Sequence, residues 1–376
     1  MLVILLAIAP TAARQRPWTL SSDSLLYTDT DNVLVVSSEL SAARALDEEG
    51  GEASADVVVD VVSAASVDVV SQASARFSEL RWEVNLAGSY AIGDGLPSIN
   101  YRGSAEPDYV SHGFGAGYLA RLGGADTVAS AHYQITFDTI GRSGTPFDTW
   151  SRDLTIHNAE LSLTQNVSTR SLLRVVLSLT VERGYQEKPY RFVPLFDAAG
   201  LAQADADDAE LRLGNFDRYR LASRPPEEVP DTRVRPAVGA RWLYFIEPLD
   251  SSLRTDYRFY LDDWGIVANT VELELEHPLG ELWSVALTTR GYTQTKASFY
   301  RSAYIVEQPD EIPGLRTVDR KLAPYDSLSA GARLELHTDT ITAYFEATAT
   351  YSSFHQYIYL DHLIALIGQG GVAWSF

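Results

Sequence analysis

Leu172-Leu173-Arg174-Val175-Val176-Leu177-Ser178-Leu179-Thr180-Val181-Glu182 is the stretch whose reading decides the fold. Leu173, Val175, Leu177, Leu179 and Val181 fall on one face of an extended chain, and Arg174, Ser178, Thr180 and Glu182 on the other, with Val176 the exception. Successive side chains of a strand point to opposite faces, so the segment has one oily and one wet face. Working outward, Ala129 to Phe137 alternates in the same way, as do Trp82 to Ile92, Val271 to Glu276 and Ile341 to Thr350. These runs are about ten residues long, the length of a tilted membrane-crossing strand; soluble strands average five or six.

The links between runs have a rhythm. Short ones with turn residues sit at 93–96, 123–126, 166–169, 247–250, 277–280 and 338–340, where Gly and Pro supply hairpin angles. Longer ones, 141–150, 186–231 and 298–326, lie between them. Short turns at one end and long loops at the other predict a closed antiparallel transmembrane β-barrel, with short periplasmic turns and long extracellular loops. Fifteen runs are readable, near 32–44, 53–62, 77–92, 97–107, 109–122, 127–139, 153–165, 170–185, 234–246, 251–262, 265–277, 282–296, 327–337, 340–356 and 363–376. An even count requires one more, which Trp18 to Tyr27 supplies, giving about 16 strands with 14 the alternative. Trp82, Tyr90, Tyr109, Tyr118, Tyr185, Tyr244, Trp264, Trp283 and Tyr292 are expected to form aromatic girdles.

Composition agrees and excludes. Zero Cys rules out a disulfide scaffold, thiolate metal sites and a Cys nucleophile. A net charge of −20 argues against nucleic acid as a partner. No run of about 18 apolar residues forms a membrane helix. Leu2 to Pro10, followed by Thr11, Ala12 and Ala13, has the layout of an export signal over 1–13, though no Lys or Arg precedes its apolar core. Residues 14–376 then form one barrel domain, located in the bacterial outer membrane after export through the periplasm. Outer-membrane lipid and the barrel-assembly machinery are the expected partners, with small solutes or envelope proteins as further ones. At the end of the chain, Leu366, Val372, Trp374 and Phe376 share one face. Such an oily final strand with an aromatic terminal residue is the expected assembly signal, carried by Trp374 and Phe376.

Three stretches carry a family resemblance. They are Ala64-Ala65-Ser66-Val67-Asp68-Val69-Val70, Tyr257-Arg258-Phe259-Tyr260-Leu261-Asp262-Asp263-Trp264-Gly265-Ile266, and His277-Pro278-Leu279-Gly280. With the terminal Trp374-Ser375-Phe376, their order and spacing resemble a family of Gram-negative outer-membrane barrels, domain of unknown function 3570. The resemblance implies an envelope location and a barrel, and it lends no catalytic residues.

Extrapolated inward, the alternation sends Arg81, Arg102, Arg121, Arg174, Arg241, Arg258, Arg290 and Arg333 into the lumen, with Asp56, Asp60, Glu79, Glu83, Asp138, Glu182, Asp262, Glu272, Glu274, Glu276, Glu335 and Glu346. A charge on the lipid face costs about 2–4 kcal/mol at the midplane. The lumen-lining candidates are Glu272, Glu274, Glu276, Arg258, Arg290, Arg174, Arg333 and Glu346. The Glu272-Glu274-Glu276 row repels itself unless Arg258 and Arg290 on adjacent strands intervene. This set predicts a porin-like channel for small solutes or ions through a mildly acidic lumen; the alternative is a non-conducting structural or docking barrel whose internal charges are paired. The acidic segment 186–231 is expected to be a solvated external loop, since it carries no EF-hand pattern. His355, Asp361 and His362 fit no metal spacing, and no Gly-x-Ser-x-Gly element exists. An outer-membrane hydrolase therefore lacks its constellation, and the sequence names no catalytic residue, metal ligand or cofactor.

Overall fold

The computed structural model describes residues 17–48, 50–64, 77–123, 126–208, 215–307 and 311–376. The expected export signal, 1–13, and the motif residues Ala65 to Val70 lie outside them. Sixteen strands form a closed antiparallel cylinder. In chain order they begin with β1 (Trp18–Asp29), β2 (Val33–Ala45), β3 (Glu52–Ala64), β4 (Phe77–Ser89), β5 (Gly95–Glu106) and β6 (Tyr109–Leu122). β7 (Thr127–Ile140), β8 (Arg152–Ser168) and β9 (Ser171–Gly184) follow, then β11 (Thr232–Ile246), β12 (Ser251–Leu261), β13 (Val267–Leu279) and β14 (Trp283–Gln294). β16 (Tyr325–His337), β17 (Ile341–Phe354) and β18 (His362–Ser375) complete the wall. Two short strands, β10 (Leu195–Phe196) and β15 (Tyr304–Ile305), pair with each other outside it, near helix α1 (Ala198–Ala206). The count is sixteen rather than fourteen, and the N-terminal strand over Trp18 to Tyr27 is β1.

Every neighbour in the wall is the next wall strand in sequence except at one seam, where β1 meets β18 in the register Thr19↔Ser375 to Asp29↔Ala365. The seam runs to the last residue: the Trp18 amide donates to the Phe376 carbonyl (3.2 Å) and the Phe376 amide to that of Trp18 (3.0 Å). Closure leaves no open edge, which hydrocarbon cannot tolerate because it offers backbone groups no partner.

The links at one end, 46–51, 90–94, 123–126, 169–170, 247–250, 280–282 and 338–340, are all short. The other end carries 141–151, 185–231, 295–324 and 355–361, together with the tight links 30–32, 107–108 and 262–266. This second end is called the mouth. One expected strand, 265–277, starts later, at Val267. There Asp262 accepts from the Ile266 amide (2.9 Å), and Gly265 takes φ +95, which a side chain would resist.

Alternation holds around the wall. Leu161, Leu177, Leu328 and Phe345 face outward, and Leu177 is 53% exposed. Trp82, Tyr90, Tyr118 and Trp283 join this outer face. Three expected girdle residues do not. Tyr109 donates inward to Asp138, Tyr292 packs inward against Tyr325, and Trp264 is buried at the mouth. Aromatic identity alone does not report which face a strand residue occupies; parity and the start of the link do.

Leu177→Arg should lower the stability of the refolded barrel by about 2–4 kcal/mol, because it places a charge on the outer face. Ser178→Arg, one residue on and facing inward, should cost far less. Folding titrations in lipid vesicles compare the two, and equal costs would contradict the facing.

Candidate functional site

The inner wall is polar and its charges are organised by register. Arg241 on β11 grips Asp256 on β12 (2.6 and 3.1 Å). Arg254, also on β12, reaches Asp256 (3.1 Å), Glu272 (2.7 Å) and Glu274 (2.9 Å). Arg290 on β14 stands 3.9 Å from Glu272. This ladder crosses four strands. The row Glu272, Glu274, Glu276 is thus met chiefly by Arg254, not Arg258. The antiparallel register sets Arg254 opposite Glu274, whereas Arg258 stands opposite Thr270. Arg258 and Glu276 make no ion pair among the described residues.

Of the other candidates, Arg174 faces Glu160 at 3.5 Å. Arg333 pairs with Glu335 and lies 4.6 Å above the Tyr344 ring. Glu346 stands opposite Arg333 in register but accepts from Gln369 (2.9 Å) instead. A second ladder joins Asp60, Arg81, Glu83 and Arg102 on β3 to β5. Asp262, expected in the lumen, instead organises the 262–266 link. It binds Arg233 (2.6 Å), Tyr260 (2.8 Å) and the Ile266 amide, while the Trp264 indole donates to the Thr232 carbonyl (3.0 Å).

Sequence reading missed Arg254 and Asp256, though they share the parity of Arg258 and could have been read from it. It placed Asp56 in the lumen but missed Asp23 and Glu39, which with it make an acidic sector on β1 to β3. Asp23 stands directly opposite Glu39, Asp56 accepts from Ser41, and Tyr344 donates to Asp23 (2.8 Å). Asp23, Glu39 and Asp56 have no basic partner among the described residues. Like charges placed opposite each other repel, so the wall is acidic there and balanced on β11 to β14. Mixed serines, Ser21-Ser22 and Ser37-Ser38, blur the alternation in these strands.

The mouth corrects one expectation. Segment 186–231 is not a solvated loop. Val193, Leu195 and Phe196 are fully buried, with Tyr304, Val306 and Val318 of link 295–324 and Tyr357 and Tyr359 of link 355–361. A second cluster joins Val229, Trp264, Ile266, Ala297 and Tyr300. These links form a cap with its own core. Asp197, one of the acids, is spent as the N-cap of α1, accepting from the Gly200 amide (2.7 Å). The cap is tied to distant rims: Arg320 to Asp31 (2.6 Å), Tyr190 to Asp108, and Gln294 to the Lys321 and Ala323 carbonyls (3.0 and 2.7 Å).

At its centre Arg191 bridges Glu227 (3.4 Å) and Asp319, and Thr317 donates to Glu227. Burial raises the Glu227 carboxyl above its usual range despite Arg191. Burial also opposes ionisation of Asp319, but Arg191 and the Lys321 amide overcome it and hold its pKa low. Near the mouth the carboxylates of Glu79, Glu106 and Asp108 come within 4.8 Å of one another. The histidines are not brought together: His355 pairs with Asp326 (2.6 Å) and His362 stacks on Tyr351.

Residues 68–353 match the family described as "Protein of unknown function (DUF3570)". No curated protein matches the chain in sequence. Among solved structures, a bacterial polysaccharide outer membrane secretin is similar at 9% identity and TM-score 0.54, covering 97% of this chain and 100% of that one. The siderophore receptor PirA from Pseudomonas aeruginosa (9% identity, TM-score 0.43) aligns with 95% of this chain and 62% of its own length. OmpT of Vibrio cholerae aligns with 95% and 97% at 8% identity and TM-score 0.44. The fold is that of outer-membrane β-barrels.

Arg254→Met should cost about 1–2 kcal/mol, between the values for surface and buried pairs, by removing the main counter-charge of the neighbouring Glu272 and Glu274 and leaving only the distant Arg290 beside Glu272. Urea unfolding of the refolded barrel measures it. Arg258→Met should change little, and the reverse ranking would reassign the ladder.

Proposed function

The chain belongs to the DUF3570 family, and on that premise we propose that it is an outer-membrane, porin-like channel for small solutes or ions, mildly cation-favouring and without catalysis of its own. The observation that carries this reading is the inner wall. Its charges face a polar interior, and the apolar clusters of the described residues lie in the cap and not between the staves. Cylinders of 16 to 18 strands leave an aqueous channel. The uncompensated Asp23, Glu39 and Asp56 favour cations through it. The strand ending in Trp374 and Phe376 would present the edge that the assembly machinery takes up before closure.

A second reading, a non-conducting docking barrel, is favoured by the cap. A set of links with its own core, tied across the mouth, can hold partners as well as gate solutes.

Planar-bilayer conductance of the refolded protein separates the two. The channel reading expects stable openings whose reversal potential in a salt gradient shows cation preference. It also expects that preference to fall in an Asp23→Asn, Glu39→Gln, Asp56→Asn variant. A folded, heat-modifiable barrel that passes no current would overturn it in favour of docking.

A further inference from the structure

Four links leave the mouth at even intervals. Going round the wall from link 107–108, the four strands β6 to β9 come before link 185–231. The four strands β11 to β14 come before link 295–324, and β16, β17, β18 and β1 before link 30–32. The last four, β2 to β5, return to link 107–108. One run of contacts visits these quarter points in that order. The Tyr190 hydroxyl donates to Asp108 of link 107–108. Its neighbour Arg191 pairs with Asp319 of link 295–324. The next residue, Arg320, pairs with Asp31 of link 30–32 (2.6 Å). Two peptide steps, 190–191 and 319–320, thus carry the run from one rim to another.

Both steps are braced. The Arg191 carbonyl accepts from the Glu227 amide (3.0 Å), and the Glu227 carboxylate lies 3.4 Å from the Arg191 guanidinium. Asp319 accepts from the Lys321 amide (2.9 Å) at the start of the turn Arg320–Leu322. The acids are nearly enclosed, with side chains 11% exposed at Asp319 and 1% at Asp31, so salt screens their pairs little. Length then decides where the run lies. Sixteen strands about 4.8 Å apart and tilted by about 40° make a rim of about 100 Å, three quarters of which is about 75 Å. Two peptide steps and three side-chain bridges reach about 50 Å at full stretch. The run is too short to follow the rim. Links 185–231 and 295–324 therefore leave their own sides and meet over the opening.

We propose that this strap is a latch that holds the cap across the opening and narrows the way into the barrel. The apolar clusters join the cap links to one another and to links 262–266 and 355–361, all between β9 and β18. They keep the cap together but do not fasten it to the far side. The ends of the strap do, at Asp108 and Asp31, and both fastenings are polar. A cap with its own core and polar fastenings at its far edge can lift as one piece when those fastenings part. The narrowing, though not the latch, rests on the channel reading.

The chain has no Cys, so Val193→Cys, in the buried core of the cap, is a single reporter of its release. Maleimide labelling of that thiol is compared in refolded full-length barrels with and without the cuts Tyr190→Phe and Arg320→Met, which lie outside the core. Together the cuts should speed labelling at least tenfold. Lys296→Met, which breaks a tie to Gln356 away from the strap, should change it little. In planar bilayers the cut barrel, without the reporter, should show at least twice the single-channel conductance, and every variant should stay heat-modifiable. Equal labelling rates would overturn the latch. Faster labelling with unchanged conductance would overturn the narrowing. Faster labelling of a barrel that passes no current, cut or intact, would support the latch and sink the channel reading alone.

Discussion

The closed seam between β1 and β18 is the constraint on which the rest depends. Hydrocarbon offers no partner to a backbone amide or carbonyl, so the sheet must meet itself, and it does so along the β1–β18 ladder, which ends in the hydrogen bonds between Trp18 and Phe376. Once the cylinder is closed, parity is no longer free. A one-residue slip anywhere would turn a lipid-facing row inward and a charged row outward. The oily outer face and the charged inner wall are therefore one decision, repeated sixteen times.

That decision is why the architecture was legible. Strand positions, their even number and the short-link end all follow from period two and turn chemistry, which are local properties of the sequence. The candidate site was legible only to the level of facing. That Glu272 and Glu274 lie on the inner wall is a matter of parity, but their partner is Arg254 and not Arg258 because of a cross-strand offset of four residues. The 262–266 link sets that offset, through Asp262, Trp264 and Gly265. The family motif there reads, in physical terms, as a register pin: it fixes β12 against β13 and decides which arginine neutralises the glutamates.

The cap was illegible for a different reason. Its core joins Val193 to Phe196, Tyr304 to Val306, Val318 and Tyr357 to Tyr359, which are distant in sequence and show no periodicity. Seen one link at a time, segment 186–231 is an acidic loop. Its acids lose that character when Asp197 caps a helix and Glu227 enters a buried bridge. Abundant charge in a sequence reports solvation only when partners are absent, and here they arrive from another link.

The Asp31–Arg320 pair joins residues 289 positions apart, and the links of the cap are anchored to strands from both halves of the wall. Such contacts have no meaning in an open sheet, because they do not face each other until its two edges have joined. The Asp31–Arg320 contact therefore belongs to the closed cylinder alone, whereas the core of the cap joins links between β9 and β18 and does not depend on the seam. The pair thus acts as a clasp across the seam, holding the first hairpin to a link from the far end of the chain.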